Sequence, residues 1–279
     1  MTGATGPTGS PGPTGDATPL LSARGVGRTY RLPRTSPFTP GPVRRAVVDA
    51  DLDVGHGESV AIVGESGSGK STLVRALLAL DAPAVEATGT VTLDGREVRA
   101  GRSSGLRWLR RRTGVVLQDP YASLDPRMRV GDSVAEPLRA LRLPGDHAAL
   151  VADVLRRVGL DADAAQRWPH EFSGGQRQRV ALARAVVHGP DLLVGDEPMS
   201  ALDVAVRAQV LELLRELRSE LGLSLLVVSH DVGLVSHLAD RVAVMHEGRI
   251  VEQGPVGQVL RSPRHPYTQE LVAAVPTLD

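Results

Sequence analysis

The chain has 279 residues, enough to bury a full core as one large domain or as a domain with a sub-lobe. Lys+Arg and Asp+Glu both number 32, so the formal net charge is zero, a balance that argues against a dedicated nucleic-acid binder. There is no cysteine, which excludes disulfides, thiolate metal sites and Fe–S clusters.

Residues 1–19 are Gly, Pro, Thr and Ser with almost no apolar content. Glycine recurs every third residue, at Gly3, Gly6, Gly9, Gly12 and Gly15, which is the period of collagen. Five triplets without a trimerising element are too few for a triple helix, and the segment reads as a disordered tail. From Leu20 the pattern becomes globular. Residues 20–30 and 43–54 read as strands joined by a Pro-rich loop, and residues 59–63 (Ser-Val-Ala-Ile-Val) as a short apolar strand. A Gly-rich turn follows, then a helix from Lys70 to about Leu80. Residues 89–100 suggest a hairpin with Asp94-Gly95 at its turn, and residues 114–118 another apolar strand.

Residues 119–172 are mostly helical, with apolar residues at helical spacing over Val130–Leu143 and Ala148–Val158, and read as an inserted lobe. Strands resume at 191–195 and 224–229, with helices between and after them, and 241–252 reads as a closing hairpin. Alternating strands and helices imply a largely parallel sheet covered on both faces. No apolar run approaches the roughly 18 residues of a membrane-spanning helix. The N-terminus has no basic-then-apolar signal pattern, so any membrane path is expected to come from partners.

Three motifs carry chemistry. The first is Gly64-Glu65-Ser66-Gly67-Ser68-Gly69-Lys70-Ser71, followed by Thr72, a match to the phosphate-binding P-loop pattern between a strand and a helix. Its glycines let successive backbone N–H groups point inward at phosphate oxygens, and the following helix presents its positive end. Lys70 reaches the β- and γ-phosphates as a point charge, and the Ser71 hydroxyl ligates Mg²⁺. Lys70 is the one lysine in a chain rich in arginine, a hint that this position needs an ammonium rather than a guanidinium.

The second motif is Leu192-Leu193-Val194-Gly195-Asp196-Glu197, an apolar strand ending in two carboxylates. Asp196 is expected to hold Mg²⁺, directly or through water, and Glu197 to polarise the attacking water. The third is Ser173-Gly174-Gly175-Gln176, preceded by Phe172. Taken with the other two in this order, it makes residues 20–270 resemble the nucleotide-binding domain of ABC ATPases, whose signature is LSGGQ; Phe172 departs from it in the first place.

The resemblance implies an α/β fold: a P-loop NTPase (RecA-like) core with a mainly parallel sheet, an antiparallel β subdomain and an inserted α-helical subdomain. It implies ATP and Mg²⁺ as cofactors. Tyr30 would stack on adenine, with a core aromatic as the alternative. Gln118 would sense Mg²⁺ and the attacking water; it could instead be a polar strand end. Ser173, Gly174 and Gly175, with Gln176, would contact the γ-phosphate held by a second subunit. Ser200-Ala201-Leu202-Asp203 matches the loop that crosses between subunits. His230, after the strand Leu225–Ser229, matches the switch histidine at the γ-phosphate, with a capping histidine as the alternative. Catalytic roles thus fall to Glu197, His230, Gln118 and Lys70, and metal ligation to Ser71, Gln118 and Asp196. Because one subunit's signature completes its partner's site in this family, the active species is expected to be a dimer, with itself or with a sister chain.

Two further stretches narrow the resemblance. Gln118-Asp119-Pro120-Tyr121-Ala122-Ser123-Leu124-Asp125-Pro126-Arg127 and His265-Pro266-Tyr267-Thr268-Gln269-Glu270-Leu271 are similar to segments of oligopeptide, dipeptide and nickel importers. That implies two transmembrane permease subunits, an extracytoplasmic solute-binding protein acting indirectly, no nucleic acid, and a peripheral place on the cytoplasmic face of the membrane. A non-transport ABC ATPase, such as the subunit of a carbon–phosphorus lyase assembly with a similar tail, is the alternative. The basic run Arg107-Trp108-Leu109-Arg110-Arg111-Arg112 reads as a solvated face, with contact to lipid headgroups or to the transporter as the alternative.

Overall fold

A computed structural model describes residues 18–32, 41–81, 86–99, 105–116, 124–199 and 202–274. The N-terminal tail to residue 17, Gln118 with residues 119–123, and Ser200-Ala201 lie outside the described residues.

Two sheets organise the chain. The first is antiparallel, with order β2-β1-β4-β5: β1 (Leu21–Arg31), β2 (Val43–Val54), β4 (Glu86–Leu93) and β5 (Arg96–Glu97). Its last hairpin turns at Asp94-Gly95, both at positive φ, the geometry a two-residue turn needs to follow strand twist. The second sheet has six strands in the order β10-β9-β3-β8-β7-β6. Here β3 is Ser59–Val63, β6 Thr113–Val116, β7 Leu192–Asp196, β8 Ser224–Ser229, β9 Arg241–His246 and β10 Arg249–Pro255. All neighbours are parallel except β9–β10, the closing hairpin. Every residue of β3, β7 and β8 is buried, because both faces of this sheet are covered. These are the strands whose sequences run apolar without alternation.

Register places the chemistry. Val63 pairs with Ser229 of β8 and Val244 of β9, and Asp196 pairs with Val228. The carboxyl ends of β3, β7 and β8 therefore finish side by side, the edge at which parallel α/β sheets bind ligands. Helix α1 (Lys70–Leu77) leaves from β3 and buries Leu73, Val74, Ala76 and Leu77 in a cluster that also takes in Leu52, Val91, Val194 and Val228. It stops short of the expected Leu80, because Ala79 turns into the left-handed region (φ 51°) and Leu80 N–H bonds back to the Arg75 carbonyl. A buried ion pair pins this junction: Arg28 of β1 donates to Asp81 at 2.6 Å.

The helical lobe contains α2 (Arg107–Arg112) at its approach, then α3 (Val130–Ala140), α4 (His147–Arg157) and two 3₁₀ turns, Ala162–Gln166 and Pro169–Glu171. Its apolar cluster, with Val134, Leu138, Leu155 and Phe172, continues into Val180 and Leu182 of α5 (Gly174–Val186), so lobe and core share one packed body. Then come α6 (Val204–Leu221), α7 (Val232–Leu238), α8 (Val256–Arg261) and α9 (Pro266–Ala273). No helix among the described residues is long and apolar enough to cross a membrane.

Candidate functional site

The segment 64–69 forms a tight loop between β3 and α1, and its glycines are sterically required. A Cβ at Gly64 (φ 152°) would sit 2.1 Å from the Met245 carbonyl oxygen. One at Gly69 (φ 107°) would sit 2.2 Å from that of Ala46. Lys70 opens α1 and is only 5% exposed. Its ammonium curls back over the loop and donates to the Gly64 and Glu65 carbonyls, each at 2.7 Å. Burial pushes the ammonium below its ordinary value, while Glu197, Asp196 and Glu65 pull it the other way. The adjacent cavity of about 470 Å³ is walled by Ser66, Gly67, Lys70, Ser71 and Thr72 on one side and by Tyr30, Arg44 and Glu197 on others. Tyr30 is half-buried at the rim rather than inside the core.

The Ser71 hydroxyl donates to Asp196 Oδ1 at 3.0 Å. Asp196 is 8% exposed, and burial raises its carboxyl above the ordinary value against the pull of the Ser71 bond. These are two hard oxygen donors beside a loop built for phosphate, and they fit Mg²⁺, which takes one or two carboxylate or hydroxyl ligands and fills its octahedron from phosphate and water. No group of three or more acidic, His or Cys side chains that could hold a metal occurs among the described residues.

Glu197 follows β7 at positive φ (49°), with its N–H bonded to the Val228 carbonyl of the neighbouring strand. That conformation is costly for a side chain with a Cβ, and the paired strand ends hold it. Glu197 lines the cavity, and its Oε1 lies 3.3 Å from His230 Nδ1. His230, just past β8, is exposed, and its neighbour Asp231 caps α7 and pairs with Arg207 of α6 at 2.9 Å. The Glu197 carboxylate thus faces a cleft already furnished with an ammonium and a hydroxyl–carboxylate pair, while the His230 imidazole lines a separate small pocket behind Glu197 and meets the cleft only through that carboxylate. That set can polarise a water and neutralise a phosphoryl group.

Ser173 lies elsewhere. It caps α5 in a reciprocal box: its hydroxyl accepts from Gln176 N–H at 3.3 Å, and the Gln176 amide oxygen accepts from Ser173 N–H at 3.0 Å. Ser173, Gly174, Gly175 and Gln176 do not line the Lys70 cavity. Asp203 is exposed and caps α6 through Val206 N–H at 2.9 Å. Gln118 lies outside the described residues. Two residues at the site escaped sequence reasoning. Arg44 stands opposite Tyr30 in the β1–β2 ladder and reaches toward the loop, 3.4 Å from the Gly67 carbonyl. Tyr267 of α9 touches the loop itself. Only strand register could reveal the first, and only the tertiary fold the second.

Comparison with known families matches residues 47–200 to the ABC transporter family and residues 251–279 to the oligopeptide/dipeptide transporter C-terminal region. The chain belongs to the ABC transporter ATPase family. Among its relatives, the probable peptide ABC transporter ATP-binding protein y4tS of Sinorhizobium fredii (strain NBRC 101917 / NGR234) is 45% identical over 262 residues, covering 93% of this chain and 73% of that protein. The glutathione import ATP-binding protein GsiA of Escherichia coli (strain K12) is 46% identical over 269 residues, 95% of this chain; the chain spans 42% of GsiA's length. Of solved structures, the ATP-binding cassette MJ0796, a dimer in a post-hydrolysis state bound to ADP and Pi, superposes with a TM-score of 0.73 at 27% identity, covering 85% of this chain and 99% of that one. The cbiO1 protein of Clostridium perfringens, part of the transporter complex cbiONQ, gives 0.73 at 28% identity over 88% of this ABC ATPase and 91% of its own chain.

Proposed function

We propose that this ABC ATPase is the engine subunit of an importer for peptides, glutathione-sized molecules included, and that it binds ATP with Mg²⁺ in the Lys70 cavity. The observation that carries the proposal is the convergence at the ends of β3, β7 and β8. There Lys70, Ser71 and Glu197 line one cavity, Asp196 joins it through its bond to Ser71, and His230 joins it through its contact with Glu197, so three separate stretches of chain meet. The match of residues 251–279 to the oligopeptide/dipeptide transporter region, together with the names of the relatives, favours peptide import over a role in a soluble assembly.

In this reading the loop amides 66–71 and Lys70 bind the β- and γ-phosphates, and Tyr30 stacks on the base. The Lys70 ammonium has three N–H donors, so it keeps its bond to the Gly64 carbonyl and turns its other N–H groups to phosphate oxygens, a change that costs little because the ammonium is already desolvated and pointed along the loop. Ser71 and Asp196 are the residues that would hold Mg²⁺, which supplies charge neutralisation at the phosphates. Glu197 accepts a hydrogen bond from the attacking water, and His230, against Glu197, contacts the γ-phosphate. The water oxygen forms a bond to γ-phosphorus in line as the bond to the bridging oxygen breaks, and catalysis is mostly positioning and electrostatics. Gln118 is assigned to sensing the same water. Ser173, Gly174, Gly175, Gln176 and Asp203 are assigned to a second cassette, because they stand away from their own cavity. Closing on ATP and opening after hydrolysis would drive two permease subunits from a peripheral position at the membrane, with an extracytoplasmic binding protein delivering the solute. The division into a tail (1–19), an ATPase domain (20–270, with the helical subdomain at about 119–172) and a C-terminal segment (271–279) belongs to the same proposal.

The test is mass analysis by size-exclusion chromatography of Glu197→Gln with and without Mg-ATP. An ATP-dependent shift from monomer to dimer is the expected result. A protein that binds ATP yet stays monomeric, both alone and when mixed with a sister cassette, overturns the two-cassette mechanism. Stimulation of ATP turnover by glutathione or short peptides, in membranes holding the permease and binding protein, tests the substrate class.

A further inference from the structure

The segment that follows the core returns to the P-loop. Helix α9 begins at the sequence His265-Pro266-Tyr267, and each of its three residues has a local task. His265 Nδ1 accepts the Tyr267 N–H at 3.2 Å, capping the helix, and Pro266 fills the first helical position, where no N–H is needed. Upstream, the Glu252 carboxylate of β10 accepts the N–H groups of Arg264 and His265 at 2.9 and 3.0 Å, which fixes where the helix starts. Tyr267 is thereby driven inward. Its ring packs with Val63 of β3, Val244 of β9 and Val259 of α8, and stacks on His246 at a centroid distance of 3.9 Å.

The phenol oxygen then accepts the N–H of Glu65 at 2.9 Å, across 202 residues of sequence. The peptide unit that carries this N–H is the one whose carbonyl belongs to Gly64, and that carbonyl accepts the Lys70 ammonium at 2.7 Å. One peptide plane at the entry of the loop is therefore held from both sides, by Tyr267 at its N–H and by Lys70 at its oxygen. Donation at the N–H polarises the amide and strengthens its carbonyl as an acceptor. Rotation of the plane would break both bonds together.

We propose that Tyr267 is a positioning residue of the nucleotide site: through the Gly64–Glu65 peptide it sets the P-loop entry and, with it, the place of the Lys70 ammonium. This rests on reading 64–71 as the ATP cradle. A second consequence is linkage. A hydrogen bond that shapes the loop also docks α9, so nucleotide binding and seating of the C-terminal segment favour one another to the same degree. A partner that shifted α9 would be felt at Lys70.

The experiment compares wild type, Tyr267→Phe and His246→Leu for Mg-ADP affinity by calorimetry, KM and kcat for ATP, and melting temperature. Tyr267→Phe keeps the ring, its burial and its stack, and removes only the hydroxyl. The expected result is a rise of about 3- to 10-fold in KM and in the Mg-ADP dissociation constant, as for one lost hydrogen bond. kcat should stay within about twofold, and the melting temperature of the nucleotide-free protein within about 2 °C. His246→Leu, which spoils the stack and keeps the hydroxyl, should lower the melting temperature with a smaller change in KM. Unchanged nucleotide affinity in Tyr267→Phe overturns the proposal, and so does a loss of affinity that scales with lost stability across both variants. The wild-type control separates this from the reading beneath it. A wild type that binds no nucleotide removes the ATP cradle and this inference with it, whereas a wild type that binds and a Tyr267→Phe that binds equally well remove this inference alone.

Discussion

The P-loop half and the signature half of this ATPase are built in opposite ways. At the P-loop, Lys70 and Asp196 are buried and the functional groups are already bonded within the chain: Lys70 to two loop carbonyls, Ser71 to Asp196, and the loop entry to Tyr267. At the signature, Ser173 is exposed, Gly174 and Gly175 are half-buried, and the hydrogen bonds of Ser173 stay within its own helix, to Gln176 and to the Arg177 N–H. A pre-bonded half loses little conformational freedom on meeting a phosphate, so in the proposed reading it would bind nucleotide without a partner. In the proposed two-cassette reading, the outward half offers a preformed helix start that would contribute when a second body brings a phosphate to it. The contrast is between groups bonded to one another across the fold and groups bonded only within their own helix turn.

The comparison can be broken or sharpened by substitutions. The largest effect belongs to Glu197→Gln, which removes the carboxylate proposed to orient the attacking water. ATP hydrolysis is expected to fall by about 10²- to 10⁴-fold with nucleotide binding retained, as read from phosphate release and calorimetry. Hydrolysis at the wild-type rate would strip Glu197 of its role. Next is Asp81→Ala. It leaves the Arg28 guanidinium buried opposite no carboxylate, at a pair whose side chains are 10% and 7% exposed. Because Arg28 ties the Tyr30 strand to the far end of the Lys70 helix, a loss of about 3–5 kcal/mol is expected from denaturant midpoints. A negligible loss would mean that the P-loop half is not held from below in this way.

Ser173→Ala costs about 1 kcal/mol of stability as a lost helix cap. It should leave nucleotide affinity of the monomer unchanged while steady-state hydrolysis drops disproportionately. If instead monomer affinity falls, the two halves are not separate. The smallest effect is the pH dependence of Asp196→Asn. Burial holds the Asp196 carboxyl above the ordinary 3.8, so the folded state binds its proton more readily than the unfolded chain does. Its charge therefore destabilises the nucleotide-free fold above the raised value, and that penalty fades as pH falls through it. Removing the carboxylate should raise the melting temperature at neutral pH by more than on the acid side, while Mg-dependent hydrolysis is lost. A melting temperature that shifts equally at every pH would deny the buried charge.

Legibility in the sequence followed the range of the interaction. Strands β3, β7 and β8 were readable because a strand buried on both faces leaves a continuous apolar run, and the P-loop because its function is written in the backbone freedom of consecutive residues. The length of α1 was overestimated, since apolar spacing continues to Leu80 while the backbone has already turned at Ala79. Arg44 was invisible because its place beside Tyr30 depends on a bulged β1–β2 register that no local pattern encodes. Tyr267 was noticed only as part of a tail that looked like those of peptide importers.

The sequence by itself determined what is decided within a few residues: the loop of glycines around Lys70, the paired carboxylates at a strand end, the reciprocal cap at Ser173, and the alternation of strand and helix. Tertiary structure alone decided which of these share a cavity. It brought Ser71 to Asp196 and Glu65 to Tyr267, and left Ser173 apart. The reason is physical: backbone conformation and capping depend on neighbours along the chain, whereas a buried hydrogen bond between distant residues exists only once the two sheets and the helical lobe have packed into one body and excluded the water that would otherwise compete for it.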